Sequence, residues 1–283
     1  MDIKSRRFKA VDLLLLTLTV LPLLGAMVLK ILFTPVTEGI TISGALVYFT
    51  VPMPLQDLPI TEAQVNSVAV VLAILFLCLF FTHGLSVRPG TKRQVIAEWI
   101  VEKCRGLVGD NMGDPFGGFA PFIAAIMGLS ALSSLLSLLG LFAPTSDLNI
   151  VAGWAVLVFI LITYYKLKAG VWNYVKGFFE PIPVFAPFNI IGEIATPVSM
   201  SFRHYGNVLS GVVISTLIAS ALQGLSSALL GWLPGFLGDI PYLRVGLPAI
   251  LSMYFDVFSG CLQAFIFAML TMLYISTAGP EEA

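Results

Sequence analysis

Six stretches of this 283-residue sequence contain no Asp, Glu, Lys or Arg: 13–29, 63–87, 115–146, 148–165, 204–238 and 257–280. A helix needs about 20 apolar residues to cross the hydrocarbon of a bilayer, within a range of about 17–25. Each stretch therefore holds one span or most of one. The expected fold is an all-α integral membrane protein with about six transmembrane helices. The range 39–56 is also free of charge, but Pro52 and Pro54 argue against a seventh span. Charged residues make up 11% of the chain, against about 25% in soluble domains. A soluble globule could not cover its surface with so few, and the mean hydropathy of +0.95 agrees. The same composition excludes a disordered chain, a basic nucleic-acid-binding face and a disulfide-built secreted domain. Cys78, Cys104 and Cys261 have no metal-like spacing and read as small buried hydrophobes.

The charges that remain set an orientation. Lys4, Arg6, Arg7 and Lys9 precede an apolar run that continues to Phe33. That run is long for the apolar core of a signal peptide and ends in no A-x-A-like site, which favours a retained span. The segment 34–62 carries Glu38, Asp57 and Glu62 and no basic residue. Arg88, Lys92, Arg93, Lys103 and Arg105 follow in 85–112, only Asp147 in 143–150, and Lys166, Lys168 and Lys176 in 166–176. By the positive-inside rule both termini are expected in the cytoplasm. In 95–107, Val95, Ile96, Trp99, Ile100, Cys104 and Leu107 recur at helical spacing, as in a helix lying in the interface plane. The stretch 169–187 combines Trp172, Tyr174, Phe178 and Phe179 with Pro181, Pro183 and Pro187, and also suits the interface. The loop 34–62, with Pro35, Pro52, Pro54 and Pro59, is expected to be irregular with short extended pieces. The whole chain, 1–283, reads as one membrane domain: an extra N-terminal span (1–34), an external loop (35–62) and a core (63–283).

Ionisable residues inside a span are functional candidates by default. Arg203, within Pro187–Gln223, and Asp256, within Leu243–Tyr274, are the two that qualify. Both host segments exceed a minimal span, so each tilts or runs partly along the interface. Arg244 lies at the end of its segment and can snorkel to water. Ser199, Arg203 and Asn207 are four apart and share a helical face, with Gly206, Ser210 and Gly211 beside them. Arginine cannot be discharged, so its cost must be offset by an acidic partner or water. The alternatives are an Arg that snorkels to the interface or a static ion pair. Asp256, Gly260 and Gln263 follow at i, i+4 and i+7 on one expected face, with Pro248 two turns earlier. Asp256 is either a proton carrier or simply the counter-ion of Arg203. His204 points about 100° away from Arg203 and is either a relay or a packed polar residue. His83 reads as interfacial, Glu193 as a helix-end charge, and Asp147 and Asp239 as solvated loop residues or the lining of an aqueous entrance on the outer side. No P-loop, HExxH or GxSxG motif is present, so no nucleotide site is expected.

The run Pro197-Val198-Ser199-Met200-Ser201-Phe202-Arg203-His204-Tyr205-Gly206-Asn207 resembles the arginine motif of subunit a of F-type ATP synthases. Gln263-Ala264-Phe265-Ile266-Phe267, with Leu270-Thr271 and Tyr274, resembles that family's last helix. Pro89-Gly90-Thr91-Lys92-Arg93-Gln94 is similar to its first cytoplasmic loop, and the turn Gly140-Leu141-Phe142 to Pro144-Thr145 matches as well. The resemblance covers roughly 62–278. It implies a non-catalytic stator channel in a bacterial inner (plasma) membrane, passing ions to and from a rotating c-ring through two half-channels, with no cofactor. Its implied partners are the c-ring, b-type peripheral stalk subunits and lipid, with no nucleic acid and no nucleotide bound directly. The family arginine maps onto Arg203, its glutamine onto Gln263, its relay position onto Asp256, and further polar positions onto Asn207 and Ser199. His204 and Tyr274 complete the expected proton-translocation set.

The chain also departs from the pattern. Arg-His-Tyr-Gly-Asn replaces Arg-Leu-Phe-Gly-Asn, Val212 stands where a Glu is common, and Ser137 where an Asn is frequent. With that Glu absent, Asp256 carries more of the relay. The competing reading is a secondary transporter that uses Arg203 and Asp256 for anion or proton-coupled transport. The lack of an internal repeat counts modestly against it.

Overall fold

The computed structural model describes residues 3–34, 44–54, 56–87, 91–180, 182–232 and 242–278, with side chains described except those of 3–8, 114, 244 and 245. Pro35, Glu38, Arg88, Pro89, Gly90, Pro181 and Asp239, and the side chains of Lys4, Arg6, Arg7 and Arg244, lie outside that set. Six helical segments are long and apolar enough to cross a membrane: Lys9–Phe33, Glu62–Thr82, Pro115–Leu139, Leu148–Ala169, Pro183–Leu230 and Gly246–Ala278. Each holds one of the six charge-free stretches or most of it, the fifth and sixth starting earlier so as to include Glu193, Arg203 and Asp256, and the protein is an all-α, multi-pass membrane protein.

The elements in order are α1 (Ile3–Phe33), β1 (Val47–Val51), β2 (Leu58–Thr61), α2 (Glu62–Thr82), α3 (Lys92–Met112), α4 (Ala120–Leu135), α5 (Leu148–Ala169), α6 (Val171–Gly177), α7 (Ala186–Leu230), α8 (Tyr242–Ser252), a π-helical segment (Met253–Ser259) and α9 (Gly260–Ala278). The two strands form an antiparallel hairpin, so the extended pieces of the proline-rich loop pair with each other. Tyr48 is the buried residue of β1. Its hydroxyl pKa is pushed up to about 12, first by burial and then by the Glu62 carboxylate. The expected interfacial helix is α3. The Thr91 hydroxyl caps it by accepting the Gln94 amide (3.3 Å). Gly140, at φ 72°, ends the α4 run in a left-handed conformation that costs glycine little. The Asp147 carboxylate then starts α5 by accepting the Asn149 amide (2.9 Å), so Asp147 is a cap rather than merely a solvated loop residue.

The core lies where α3, α4, α5, α7 and α9 meet. Val108, Ile123, Val158, Met200, Phe267 and Met272 are buried there. The outward faces carry exposed Leu, Ile, Val and Phe, as expected where lipid is the solvent. Cys78 and Cys261 lie on such faces and are exposed; only Cys104 is buried, which corrects the sequence expectation for two of the three. A small apolar side chain facing lipid gains as much as one facing protein, so hydropathy alone does not separate the cases. Burial pushes the Cys104 thiol pKa up.

α1 packs along α2 and is held by charge at both ends. At one end Lys30 pairs with Glu62 (3.1 Å) and donates to the Gly140 carbonyl (2.7 Å). Glu62 is 2% exposed and also accepts the Phe142 amide (3.1 Å), while Asn66 donates to the Phe142 carbonyl (2.8 Å). At the other end Asp12 accepts from Arg93 (2.7 Å) and lies 2.9 Å from His83 Nδ1. Arg93 also donates to the His83 carbonyl and stacks over Phe80. Removing one partner of a buried pair leaves an uncompensated charge. Lys30→Met is therefore expected to destabilise the protein by about 1–3 kcal/mol, less than for a fully buried pair because Lys30 is partly exposed. A thermal-unfolding series in detergent checks this, with Glu62→Gln/Lys30→Met recovering part of the loss.

Candidate functional site

The site is built on α7, 45 residues and about 67 Å long at 1.5 Å per residue. That is twice the hydrocarbon thickness of about 30 Å, so the helix is strongly inclined or runs partly along the interface. Its two sides differ. Pro197, Met200, Ser201, His204 and Gly211 are buried against the bundle. Gly192, Ala195, Ser199, Arg203, Gly206 and Ser210 recur every three or four residues on the opposite side, and all six are exposed. The expected common face of Ser199 and Arg203 is thus present, with half-buried Asn207 at its edge. Apart from Arg203, the stripe is Gly, Ala and Ser, which permits close approach of another helix.

Two contacts set the register of α7 against the last membrane segment. Asn207 Nδ2 donates to Ser259 Oγ (2.9 Å). Gly211 faces Phe255 so closely that a Cβ there would sit 3.0 Å from its side chain. The partner number falls by four as the α7 number rises by four, so the helices run antiparallel. Carried one turn further, this register sets Arg203 level with Gln263 and Asp256 level with Ser210. Asp256 is then about 10 Å along the axis from Arg203. Among the described residues Arg203 makes no hydrogen bond or ion pair, and Asp256 is half-buried with Ser252 Oγ donating to its Oδ2 (2.6 Å). Asp256 is therefore not the counter-ion of Arg203.

The expected shared face of Asp256, Gly260 and Gln263 needs correction. Asp256 lies in the π segment, whose i→i+5 bonding widens the turn and breaks the 3.6-residue period. Gly260 and Gln263 are buried, whereas Asp256 is turned partly outward. Gly260 sits against α4 so tightly that a Cβ would fall 2.8 Å from Ser134 Cβ. Gly260→Val is expected to cost about 1–3 kcal/mol by overpacking, read as a lower yield of folded protein in detergent. Tyr274 is eleven residues beyond Gln263, about 16 Å along α9, and is partly buried against the core. The structure does not bring it to the Arg203 level.

His204 is fully buried, about 100° round α7 from Arg203. Its Nε2 lies 3.2 Å from Ser130 Oγ, and the rings of Trp154 and Phe267 meet it edge-on at 6.1 and 5.5 Å. The α4 serines were not among the expected site residues. Their sequence signal is the spacing Ser130, Ser133, Ser134, Ser137, a polar stripe at helical period in an apolar span. Near the start of α7, Glu193 forms a two-oxygen pair with Lys166 (2.8 Å to each), in keeping with a helix-end charge. Tyr174 lies beside it (3.5 Å), its hydroxyl pKa raised by burial and then by that carboxylate. His83 caps the end of α2.

This arrangement, a cation unpaired among the described residues on a smooth helical face with a separate carboxylate two turns away, suits ion transfer to a partner rather than covalent catalysis. The ATP synthase A chain family model matches residues 65–276. The chain is 36% identical over 220 residues to ATP synthase subunit a of Bacillus pumilus, covering 74% of this chain and 88% of that protein. It is 34% identical over 215 residues to that of Bacillus subtilis (72% and 85%), and 33% over 222 residues to that of Desulforamulus reducens (77% and 78%). The match runs from the first turn of α2 to the last turn of α9 and includes the arginine stripe and its antiparallel partner. The chain belongs to the ATP synthase A chain family.

Proposed function

We propose that this chain is the stator channel of an F-type ATP synthase, passing protons through two half-channels to and from a rotating ring of c subunits. The observation that carries this reading is the guanidinium of Arg203, without a hydrogen bond or ion pair among the described residues, on a stripe of Gly, Ala and Ser. A permanent cation in a span needs an anion or water, and a mobile partner bearing a titratable carboxylate supplies the anion intermittently. Arg203 attracts that carboxylate and separates the two half-channels. Gln263, level with Arg203, and Asn207, tied to Ser259, shape the path, with Ser199 one turn away on the same stripe. Asp256 loads the ring from one side, His204 acts behind the arginine, and Tyr274 lies toward the other end of the path. Both termini face the cytoplasm of a bacterial inner membrane, and b-type stalk subunits hold the chain against rotation. The chain forms one membrane domain, with the span up to residue 34 added to the family core.

Membrane vesicles carrying the assembled complex test this. Removal of the catalytic sector is expected to leave a passive proton conductance that vesicles lacking this chain do not show. If instead the isolated chain in liposomes drives proton-coupled solute uptake and the vesicles show no such conductance, the transporter reading holds.

A further inference from the structure

We propose that the π turn at Met253–Ser259 is a positioning device that swings the Asp256 carboxylate off the packed face of its helix, and that Ser252 is the positioning residue that holds it there. This rests on the stator reading, in which Asp256 exchanges protons with the rotating subunit, and adds the residues that aim it. The turn is closed by the Gly260 amide, which donates to the Phe255 carbonyl five residues back. Beyond it α9 is regular, with Gly260, Gln263, Phe267 and Thr271 buried at helical spacing. Carried backward unbroken, that period would bury Asp256, four residues before Gly260, and Met253, seven before it. Instead Met253 is 69% exposed and Asp256 is half-buried.

A turn closed by i→i+5 bonds holds one residue more than an α turn, and such single turns within α-helices recur at functional sites. On its N-terminal side each residue therefore takes the place that its successor would hold in an unbroken α-helix. Phe255 comes to the position due to Asp256, and its side chain fills the hole at Gly211 of α7, where a Cβ would lie 3.0 Å away. An apolar ring thus occupies the packed position, and the ionisable group is spared burial without a charge partner. Asp256 stands one residue round the helix from it. There Ser252, which ends α8, donates its hydroxyl to Oδ2 (2.6 Å). Among the described residues no other side chain bonds the carboxylate, so one oxygen is fixed in direction and Oδ1 is left to take up and release a proton. The flanks of the turn are pinned without help from the carboxylate. Phe255 is seated on α7, Ser259 accepts from Asn207 (2.9 Å), and Gly260 lies against Ser134 of α4. The register of the turn is fixed from both sides.

The test measures passive proton conductance per assembled complex, in vesicles stripped of the catalytic sector. Deletion of Met253 removes the extra residue, so the turn closes as α-helix and returns Asp256 to the face of Gly260 and Gln263. Both flanks keep their places, so the complex is expected to assemble and its conductance to fall by about tenfold or more. Met253→Ala keeps the residue, and with it the turn, and is expected to conduct as wild type does. Wild-type conductance in the deletion, its failure to assemble, or an equal fall in Met253→Ala overturns the aiming role of the turn. Ser252→Ala is expected to lower conductance about fivefold, as for the loss of one hydrogen bond. Ser252→Thr, which returns the hydroxyl, is expected to restore most of it. Wild-type conductance in Ser252→Ala, or an equal loss in Ser252→Thr, overturns the role of Ser252. Failure of the stator reading appears separately, as normal pumping by Arg203→Ala.

Discussion

Arg203→Ala is expected to abolish ATP-driven proton pumping while the complex still assembles and hydrolyses ATP. The side chain is exposed and makes no hydrogen bond or ion pair among the described residues, so its loss breaks no internal contact. Truncation even removes a charge that costs about 2.5–3.5 kcal/mol or more at mid-membrane. What is lost is the fixed cation opposite the moving carboxylate. Each proton crossing the membrane is worth about 2.3 kcal/mol per 100 mV. That energy turns the ring only while direct passage between the half-channels is blocked. Arg203→Lys sharpens the point. An ammonium keeps the charge but can lose its proton in an apolar site, so partial pumping with increased leak is expected. Acidification of inverted vesicles, followed with a pH-sensitive dye, separates the three proteins.

Asp256→Asn is expected to slow passive proton flow through the membrane sector by about tenfold or more. Asparagine is nearly isosteric and can still accept the Ser252 hydroxyl, so the π segment should persist. It cannot take up and release a proton. Val212 offers no substitute one face away. Asp256→Glu should recover part of the flow, because the carboxylate returns with a longer reach. A conductance equal to wild type in Asp256→Asn would remove this residue from the path.

The membrane architecture was legible because lipid imposes a strong and local constraint. Charge is scarce over whole spans, and each of the six spans holds one of the charge-free stretches or most of it. The amphipathic pattern at 95–107 became α3 for the same reason. Arg203 was legible as a lone cation in an apolar run, and its stripe followed from the 3.6-residue period. That period failed at Asp256, because a π turn depends on bonding that no side-chain pattern announces. Long-range pairings were also hidden. Lys30 finds Glu62 across 32 residues and Asp12 finds Arg93 across 81, and only the packing of α1 against α2 and the start of α3 brings them together. The partner of His204 lies 74 residues away on α4. Sequence showed that it pointed away from Arg203, and the fold determined what it met. Cys78 and Cys261 illustrate the remaining ambiguity, since hydropathy does not say which apolar face meets lipid.

The central claim is that the Arg203 stripe is the surface along which a carboxylate-bearing ring moves. Gly206 lies one turn from Arg203 on that stripe, and a Cβ there meets nothing within 4 Å. In a complex otherwise free of cysteine, Gly206→Cys is to be paired with a cysteine beside the carboxylate of the c subunit and oxidised. The account predicts a disulfide between the two subunits that stops ATP-driven pumping, with pumping restored by reductant. Assembled complex that forms no such disulfide, or that pumps at full rate with it in place, would contradict the account.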